Sequence, residues 1–224
     1  SSTGSAVFLA CEAIRAVLAR KMNCSPDDLL MQDGRIWAEG TDPRPVTELL
    51  EGDLAQVGRI EPGETSEKVK QATYGAFFCE VAVNAFTGET RMRRMTGAFG
   101  FGRVLNAKTA RSQCLGGMVW GIGSALMEEL HFDHRDGHLV NHDLAEYHVP
   151  VHRDILEMEV ILLEERDAYA SPIQAKGVGE LGICGAAGAI SNAIYNACGV
   201  RLRDFPMTPD KLLAELPDPF ARVT

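Results

Sequence analysis

Apolar residues recur every three or four positions in several long stretches of the chain, which is the spacing of one face of an α-helix. This pattern predicts a first helix over about 5–22, a long helix over about 109–130 and a third helix over about 180–197. A short final helix is predicted over 208–216, because Pro209 suits the first turn of a helix.

Strand signals lie between the predicted helices. Aromatic and β-branched residues are concentrated in 74–86, Thr87-Gly88 follows as a turn, and 89–98 continues with long side chains, which together predict a β-hairpin. Partial alternation of apolar and polar residues predicts another strand over 155–164. Helices and strands occur without a regular strand-helix-strand repeat, so we expect an α+β fold.

Proline and glycine punctuate the segment between the first helix and the hairpin. We therefore expect two parts: residues 1–70 as a helix followed by a small loop-rich module, and residues 71–224 as the larger part of the fold.

The composition narrows the classes of function. The chain has 224 residues, of which 46% are hydrophobic and 24% charged, and this is typical of a soluble globular protein without a membrane span. The net charge is -9, and the densest basic cluster is Arg91 to Arg94, so nucleic acid is not an expected partner. The six cysteines are scattered without a C-x-x-C pair, which disfavours an iron-sulfur cluster or structural zinc built by this chain alone.

Two of the predicted helices contain small residues at positions that fall on one face. These residues are Gly117, Gly121 and Ala125 in the long helix, and Gly185, Ala189 and Ala193 in the third helix. Glycine in a helix interior costs about 1 kcal/mol relative to alanine, so such stripes need a reason. Close packing between helices is the simpler interpretation, and a flat polar ligand against the helix ends is the alternative.

The segment Lys176-Gly177-Val178-Gly179-Glu180 precedes the third predicted helix and can bring backbone N–H groups close to a ligand. A glutamate at a helix start is exposed to the helix dipole, which lowers its pKa, while burial would raise it. Glu180 is therefore a candidate general base. Residue preferences by themselves favour an ordinary first-turn glutamate, and they favour a solvated side chain for Gln113, which opens the long helix.

All six histidines lie between residues 131 and 152. A turn at Asp136-Gly137 interrupts any helix that could align them, so a solvent-facing hairpin is favoured over a metal site. No metal ligands are predicted from this cluster, and a metal-binding module is kept as an alternative function.

Three long strings resemble the C-terminal part of the molybdenum-cofactor-binding large subunit in the xanthine oxidase family. They are GRVLNAKTARSQCLGGMVWGIGSALMEE, NHDLAEYHVPVH and SPIQAKGVGELGICGAAGAISNAIYNACGVRLRDFPMTPDKLL. The resemblance extends over about 74–216 and is greatest to the bacterial three-subunit aldehyde oxidoreductases. It implies that residues 1–224 form the C-terminal part of a molybdopterin-binding domain, with the cofactor-binding core in 71–224.

The resemblance also implies roles for individual residues. Glu180 matches the catalytic base of the family, and Gln113 matches a glutamine that hydrogen-bonds the pterin. Lys176, Val178 and Gly179 match positions that line the cofactor. The implied cofactor is molybdopterin cytosine dinucleotide, and the implied reaction oxidises aldehydes to carboxylic acids with water as the oxygen source.

Further implications concern partners. The remainder of the large subunit is expected as one partner, and FAD and [2Fe–2S] or [4Fe–4S] clusters are expected on flavin and iron-sulfur subunits. The isolated chain is then expected to be inactive, in a bacterial periplasm or cytoplasm. Gly100-Phe101-Gly102-Arg103 replaces the Asp-Val-Gly-Arg of many relatives, which favours aldehyde oxidation over hydroxylation of an N-heterocycle such as a purine. A packing or assembly module without catalysis is a further alternative.

Overall fold

A computed structural model describes residues 2–63 and 65–220, and it confirms the predicted α+β fold. Its helices are α1 (Ser2–Lys21), α2 (Thr65–Lys68), α3 (Ala107–Leu126), α4 (Ala186–Cys198) and α5 (Pro209–Leu213). Its strands are β1 (Leu29–Gln32), β2 (Arg35–Ala38), β3 (Arg44–Pro45), β4 (Tyr74–Val83), β5 (Thr90–Gly100) and β6 (Glu157–Leu162). Short 3-10 helices cover Pro26–Asp28 and Val46–Leu49.

The chain divides into two compact units. The first unit comprises residues 1–71 and 166–176, and the second comprises 72–165 and 177–224. The segment 166–176 thus belongs with the N-terminal part of the chain, although it follows the strands of the second unit in sequence.

The first unit is built on helix α1 and the antiparallel sheet β1-β2-β3. A small core joins the helix to the sheet, and its fully buried members are Leu18, Ala19, Leu29 and Ile36. Arg15 reinforces this packing, because its guanidinium donates to the carbonyls of Pro26 and Leu29, each at 2.6 Å. Apolar burial and these hydrogen bonds together fix α1 on the loop-rich module.

Helix α1 also has the length and composition of a membrane span, contrary to the expectation from the composition. Only 17% of its most apolar 18-residue stretch is buried. Its last turns nevertheless pack into the small core through Leu18 and Ala19, and Arg15 serves the adjacent loop. This packing is that of a helix belonging to a globular domain.

The second unit is built on the sheet β4-β5-β6. Strands β4 and β5 form the predicted hairpin, with an irregularity between Glu80 and Val81, and β6 lies parallel to β5. Helices α3 and α4 cover one face of the sheet. The largest buried side chains between them are Met92, Met95, Phe99, Met118, Ile122, Ile190 and Ile194.

The glycines on the helix faces of this unit lie in close contact with neighbouring residues. A Cβ atom on Gly117 would lie 2.8 Å from the carbonyl carbon of Gly182, and a Cβ on Gly121 would meet the side chain of Ala186. A Cβ on Gly185 would meet the ring of Phe77. Close packing is therefore the correct interpretation for these three positions.

The third predicted helix begins later than the spacing indicated. Residues 179–185 form successive turns, with hydrogen bonds from Ile183 N–H to the Glu180 carbonyl and from Ala186 N–H to the Ile183 carbonyl. Helix α4 itself starts at Ala186. The expectation that Glu180 occupies the first turn of a helix is wrong, because Gly182 must pass directly over the backbone of α3 at Cys114.

Candidate functional site

A cleft of about 560 Å³ opens in the second unit beside Glu180. It is lined by residues that include Tyr74, Phe77, Gly177, Gly179, Glu180 and Leu181. Strand β4 contributes the aromatic residues, and the turns before α4 contribute the glycines and the glutamate. Glu180 is exposed, so its carboxylate is accessible to a molecule in the cleft. An accessible carboxylate beside apolar walls is an arrangement that can take up a proton from a bound reactant.

Gln113 holds the backbone next to Glu180. Its side-chain Nε2 donates a hydrogen bond of 2.6 Å to the carbonyl of Gly179. Helix α3 positions this side chain two turns after the cap at Asn106, whose Oδ1 accepts from Thr109 N–H. The predicted base and the predicted pterin-binding amide are therefore brought together by a direct link through Gly179.

Two glycines form an open floor in the cleft. A Cβ on Gly177 or Gly179 would have no heavy atom of the described chain within 4 Å, and neither residue has a positive φ. Packing and backbone conformation therefore do not require glycine at these positions. A side chain there would project into open space that a flat ligand could otherwise use at backbone distance. This floor fits a planar pterin group.

The other two predicted cofactor residues have different surroundings. Lys176 belongs to the first unit, where its Nζ lies 3.1 Å from Oδ2 of Asp167 and holds the pKa of that carboxyl below its usual value. Val178 is half-buried and packs against the core of the second unit. Neither is among the residues that line the cleft.

Several cleft residues were not identified from the sequence. Tyr74 and Phe77 are the aromatic walls, and Phe77 packs edge-on against Phe99 with ring centroids 5.2 Å apart. Cys184 also lines the cleft, and its thiol lies 3.3 Å from the Glu180 carbonyl oxygen. The concentration of aromatic residues in 74–86 was visible in the sequence. The proximity of this strand to the segment before α4 was not visible in the sequence, because it depends on the tertiary fold.

The histidine cluster lies outside this cleft. All six histidines are exposed, and the rings of His138 and His142 meet edge-on with centroids 6.1 Å apart. Among residues 2–63 and 65–220, no three His, Cys, Asp or Glu side chains are grouped so that they could hold a metal ion. The geometry gives no support to the alternative of a metal-binding module.

The first unit has a separate cavity of about 560 Å³ at the start of α1. Ser2, Ser5, Tyr169 and Ser171 are among the residues that line it. Ser5 is only 1% exposed, and its hydroxyl has no hydrogen-bond partner among the described residues. A buried hydroxyl beside the N-terminal end of a long helix is chemically suited to an anionic group.

Comparison with known proteins shows which family the chain belongs to. The family model of the molybdopterin cofactor-binding domain matches residues 1–156. The chain is 48% identical over 219 residues to the aldehyde oxidoreductase molybdenum-binding subunit PaoC of Escherichia coli, a match that covers 97% of this chain and 30% of that subunit. The chain thus spans less than a third of the length of this curated relative.

Solved structures also match this chain over most of its length. Reconstituted CO dehydrogenase from Oligotropha carboxidovorans matches with a TM-score of 0.78 and 22% identity, over 94% of this chain and 28% of that chain, which shows the fold. The aldehyde oxidoreductase of Desulfovibrio desulfuricans matches with a TM-score of 0.65 and 27% identity, over 96% of this chain and 22% of that chain. The chain belongs to the family of molybdopterin cofactor-binding domains, as its resemblance to the molybdenum subunits of the xanthine oxidase family predicted.

Proposed function

We propose that this chain supplies the catalytic base and part of the cofactor-binding surface of an oxidoreductase that converts aldehydes to carboxylic acids. The overall reaction is RCHO + H₂O → RCOOH + 2H⁺ + 2e⁻, with water as the oxygen source. One observation carries the proposal: Glu180 is exposed and lines a cleft with a glycine floor. The names of PaoC and of the Desulfovibrio enzyme, both aldehyde oxidoreductases, support the substrate class.

The cofactor would lie against the glycine floor. Gly177 and Gly179 leave room for its planar ring, and Gln113 keeps Gly179 in place from α3. When bound, the molybdenum cofactor supplies the two-electron oxidation that the side chains of this chain cannot perform. We propose the cytosine dinucleotide form of this cofactor. The cavity at the start of α1 offers the N-terminal end of a helix and the Ser5 hydroxyl as groups that could face a phosphate of a dinucleotide, although Glu61 also lines it.

Glu180 performs the proton transfer in this proposal. Its carboxylate accepts the proton that the attacking oxygen loses as that oxygen bonds to the aldehyde carbon. Tethering of Gly179 to Gln113 limits the movement of the segment that carries the base. A positioned base of this kind typically contributes a rate factor of about 10² to 10⁴.

Electron transfer to partner subunits is part of the same proposal. The six cysteines of this chain are all free thiols, and the described residues hold no cluster that could bind iron. The resemblance to the three-subunit aldehyde oxidoreductases supports partner subunits that carry FAD and iron-sulfur clusters, together with the remainder of a large subunit. The periplasm and the cytoplasm of a bacterium are both compatible with this proposal.

The test uses the complete enzyme assembly with Glu180→Gln in the large subunit. We expect aldehyde turnover to fall at least about a hundredfold, while molybdenum content by mass spectrometry stays at the wild-type level. Glu164→Gln is the matched control, because Glu164 is exposed and does not line the cleft. Wild-type turnover in the Glu180 variant would refute the role of the base, and preferred turnover of hypoxanthine would favour heterocycle hydroxylation.

A further inference from the structure

Tyr74 is held at the cleft by a short chain of hydrogen bonds. Its hydroxyl donates to Oε2 of Glu165 at 2.7 Å, and Oε1 of Glu165 accepts the backbone N–H of Gly102 at 2.9 Å. Both oxygens of one carboxylate are thus used, one by the tyrosine and one by the backbone. Such charge-assisted hydrogen bonds are stronger than neutral ones, so the phenol is anchored at its far end.

The sheet topology brings these three residues together. Strand β4 runs antiparallel to β5, and β6 runs parallel to β5, so the start of β4 lies at the same edge as the ends of β5 and β6. Tyr74 begins β4, whereas Gly102 and Glu165 follow β5 and β6. Residues that are 91 positions apart in sequence, Tyr74 and Glu165, therefore meet at one edge.

The ring of Tyr74 is also fixed along its length. Tyr74 pairs directly with Gly100 across the sheet. A Cβ on Gly100 would lie 2.7 Å from both Cε1 and the hydroxyl oxygen of Tyr74, so the phenol end of the ring lies directly over this glycine. A ring that is supported underneath and anchored at its hydroxyl cannot turn without losing one of these contacts.

We propose that Tyr74 is a specificity-determining residue, whose ring is a fixed wall against which the apolar part of the substrate lies. This inference rests on the proposed function. Because the hydroxyl is engaged by Glu165, the surface that Tyr74 offers to the cleft is its apolar ring, and the residue as a whole is 52% exposed. Phe77 and Leu181 extend this apolar surface within the same cleft that contains Glu180.

The consequence is a selective effect on binding. Loss of the ring removes contact area for a bulky apolar aldehyde but leaves the proton transfer at Glu180 unchanged. A single methylene in an apolar pocket changes the specificity ratio by roughly ten- to two-hundredfold, so loss of a whole ring should change it at least about tenfold. A compact aldehyde makes little contact with the wall, so its kinetics should change by less than about threefold.

The experiment compares Tyr74→Ala, Tyr74→Phe and Glu165→Gln in the complete enzyme. The probes are benzaldehyde and acetaldehyde, and kcat, KM and molybdenum content are measured for each variant. We expect Tyr74→Ala to raise KM for benzaldehyde at least about tenfold with kcat nearly unchanged. Tyr195→Ala is the matched control, because Tyr195 is an exposed tyrosine of helix α4 that does not line the cleft.

The milder variants keep the test valid if Tyr74→Ala does not fold. Glu165→Gln keeps one acceptor oxygen for Gly102 N–H but loses the negative charge, so its amide can only replace the charge-assisted bond to Tyr74 with a weaker neutral one. We expect Tyr74→Phe and Glu165→Gln each to raise KM for benzaldehyde a few-fold, because the anchor of the ring is lost or weakened.

The ionisation of Tyr74 can be followed by ultraviolet absorbance without the cofactor. The hydrogen bond to Glu165 raises the pKa of Tyr74 above its ordinary value of 10.0. In an ultraviolet titration of the 224-residue chain, the difference between wild type and Tyr74→Phe should show a phenol that ionises above pH 10, and Glu165→Gln should move this ionisation downward.

Three outcomes would overturn the proposal. One is an unchanged ratio of the two KM values in Tyr74→Ala, and another is a loss of molybdenum in that variant, which would assign the ring to the cofactor. The third is a normal phenol ionisation for Tyr74. Failure of the proposed function is separate, because it would appear as full turnover in Glu180→Gln.

Discussion

Replacement of Gly117 by alanine tests the close approach of helix α3 to the turns before α4. A methyl group at this position would lie 2.8 Å from the carbonyl carbon of Gly182 and 2.9 Å from both Gly182 Cα and Ile183 N. These atoms belong to the backbone, so they cannot move aside as the end of a flexible side chain could. Gly116→Ala is the matched control, because Gly116 is exposed and a methyl group on it would have no heavy atom of the described chain within 4 Å.

The two substitutions should change the free energy of unfolding in opposite directions. Alanine at either position gains roughly 1 kcal/mol of helix propensity over glycine. Overpacking costs about 1–3 kcal/mol, and the upper end applies to Gly117 because its three nearest neighbours are backbone atoms. We therefore expect Gly117→Ala to lose about 2 kcal/mol of unfolding free energy, and Gly116→Ala to gain up to about 1 kcal/mol.

Thermal unfolding followed by circular dichroism measures both changes. For a chain of this size, 1 kcal/mol corresponds to roughly 2–4 °C in Tm. Gly117→Ala should therefore melt about 4–8 °C below wild type, and Gly116→Ala should melt slightly above it. Equal or greater stability of Gly117→Ala relative to Gly116→Ala would refute the described crossing.

The remaining predictions concern the Ser5 hydroxyl and the Cys79 thiol. Ser5→Ala should stabilise the chain by about 1 kcal/mol, because the buried hydroxyl has no partner among the described residues. Urea unfolding measures this change, and a lower urea midpoint than wild type would contradict it. Ser171→Ala is its control and should destabilise by about 1 kcal/mol, since its hydroxyl bonds both the carbonyl and the N–H of Ala175. Burial raises the pKa of the Cys79 thiol from 9.0 to about 12, so iodoacetamide at pH 8 should label Cys184 and spare Cys79, as peptide mass spectrometry can check. The neutral Cys79 thiol favours the folded state fully below pH 9.0, and this contribution is lost as the pH rises towards about 12, a loss that Cys79→Ala should remove.

Much of the local structure followed from the sequence. The periodicity located α1 and α3, and the Thr87-Gly88 turn located the β4–β5 hairpin, because these elements depend on contacts between near neighbours in the chain. The long motifs around Gln113 and Glu180 indicated the family, which the domain match confirmed. A specific string of residues carries such information without any knowledge of the fold.

The start of α4 was decided by tertiary packing. Helical spacing of apolar residues continues back to Glu180, but the backbone of Gly182 lies against Cys114 of α3, and the segment forms turns to allow this. Periodicity cannot report such a constraint, because the neighbour that imposes it is remote in sequence.

The composition of the cleft was likewise decided by the tertiary structure. The sequence by itself indicated Glu180 as a candidate base and Gln113 as a candidate cofactor-binding residue, because both lie in long motifs. It did not indicate that Tyr74 and Glu165 would be joined at one edge of a sheet, since their meeting requires the strand order β4-β5-β6 with one antiparallel and one parallel pairing. A residue's type and local motif determine its chemistry, whereas its partners are set by strand order and packing, which bring distant parts of the chain together.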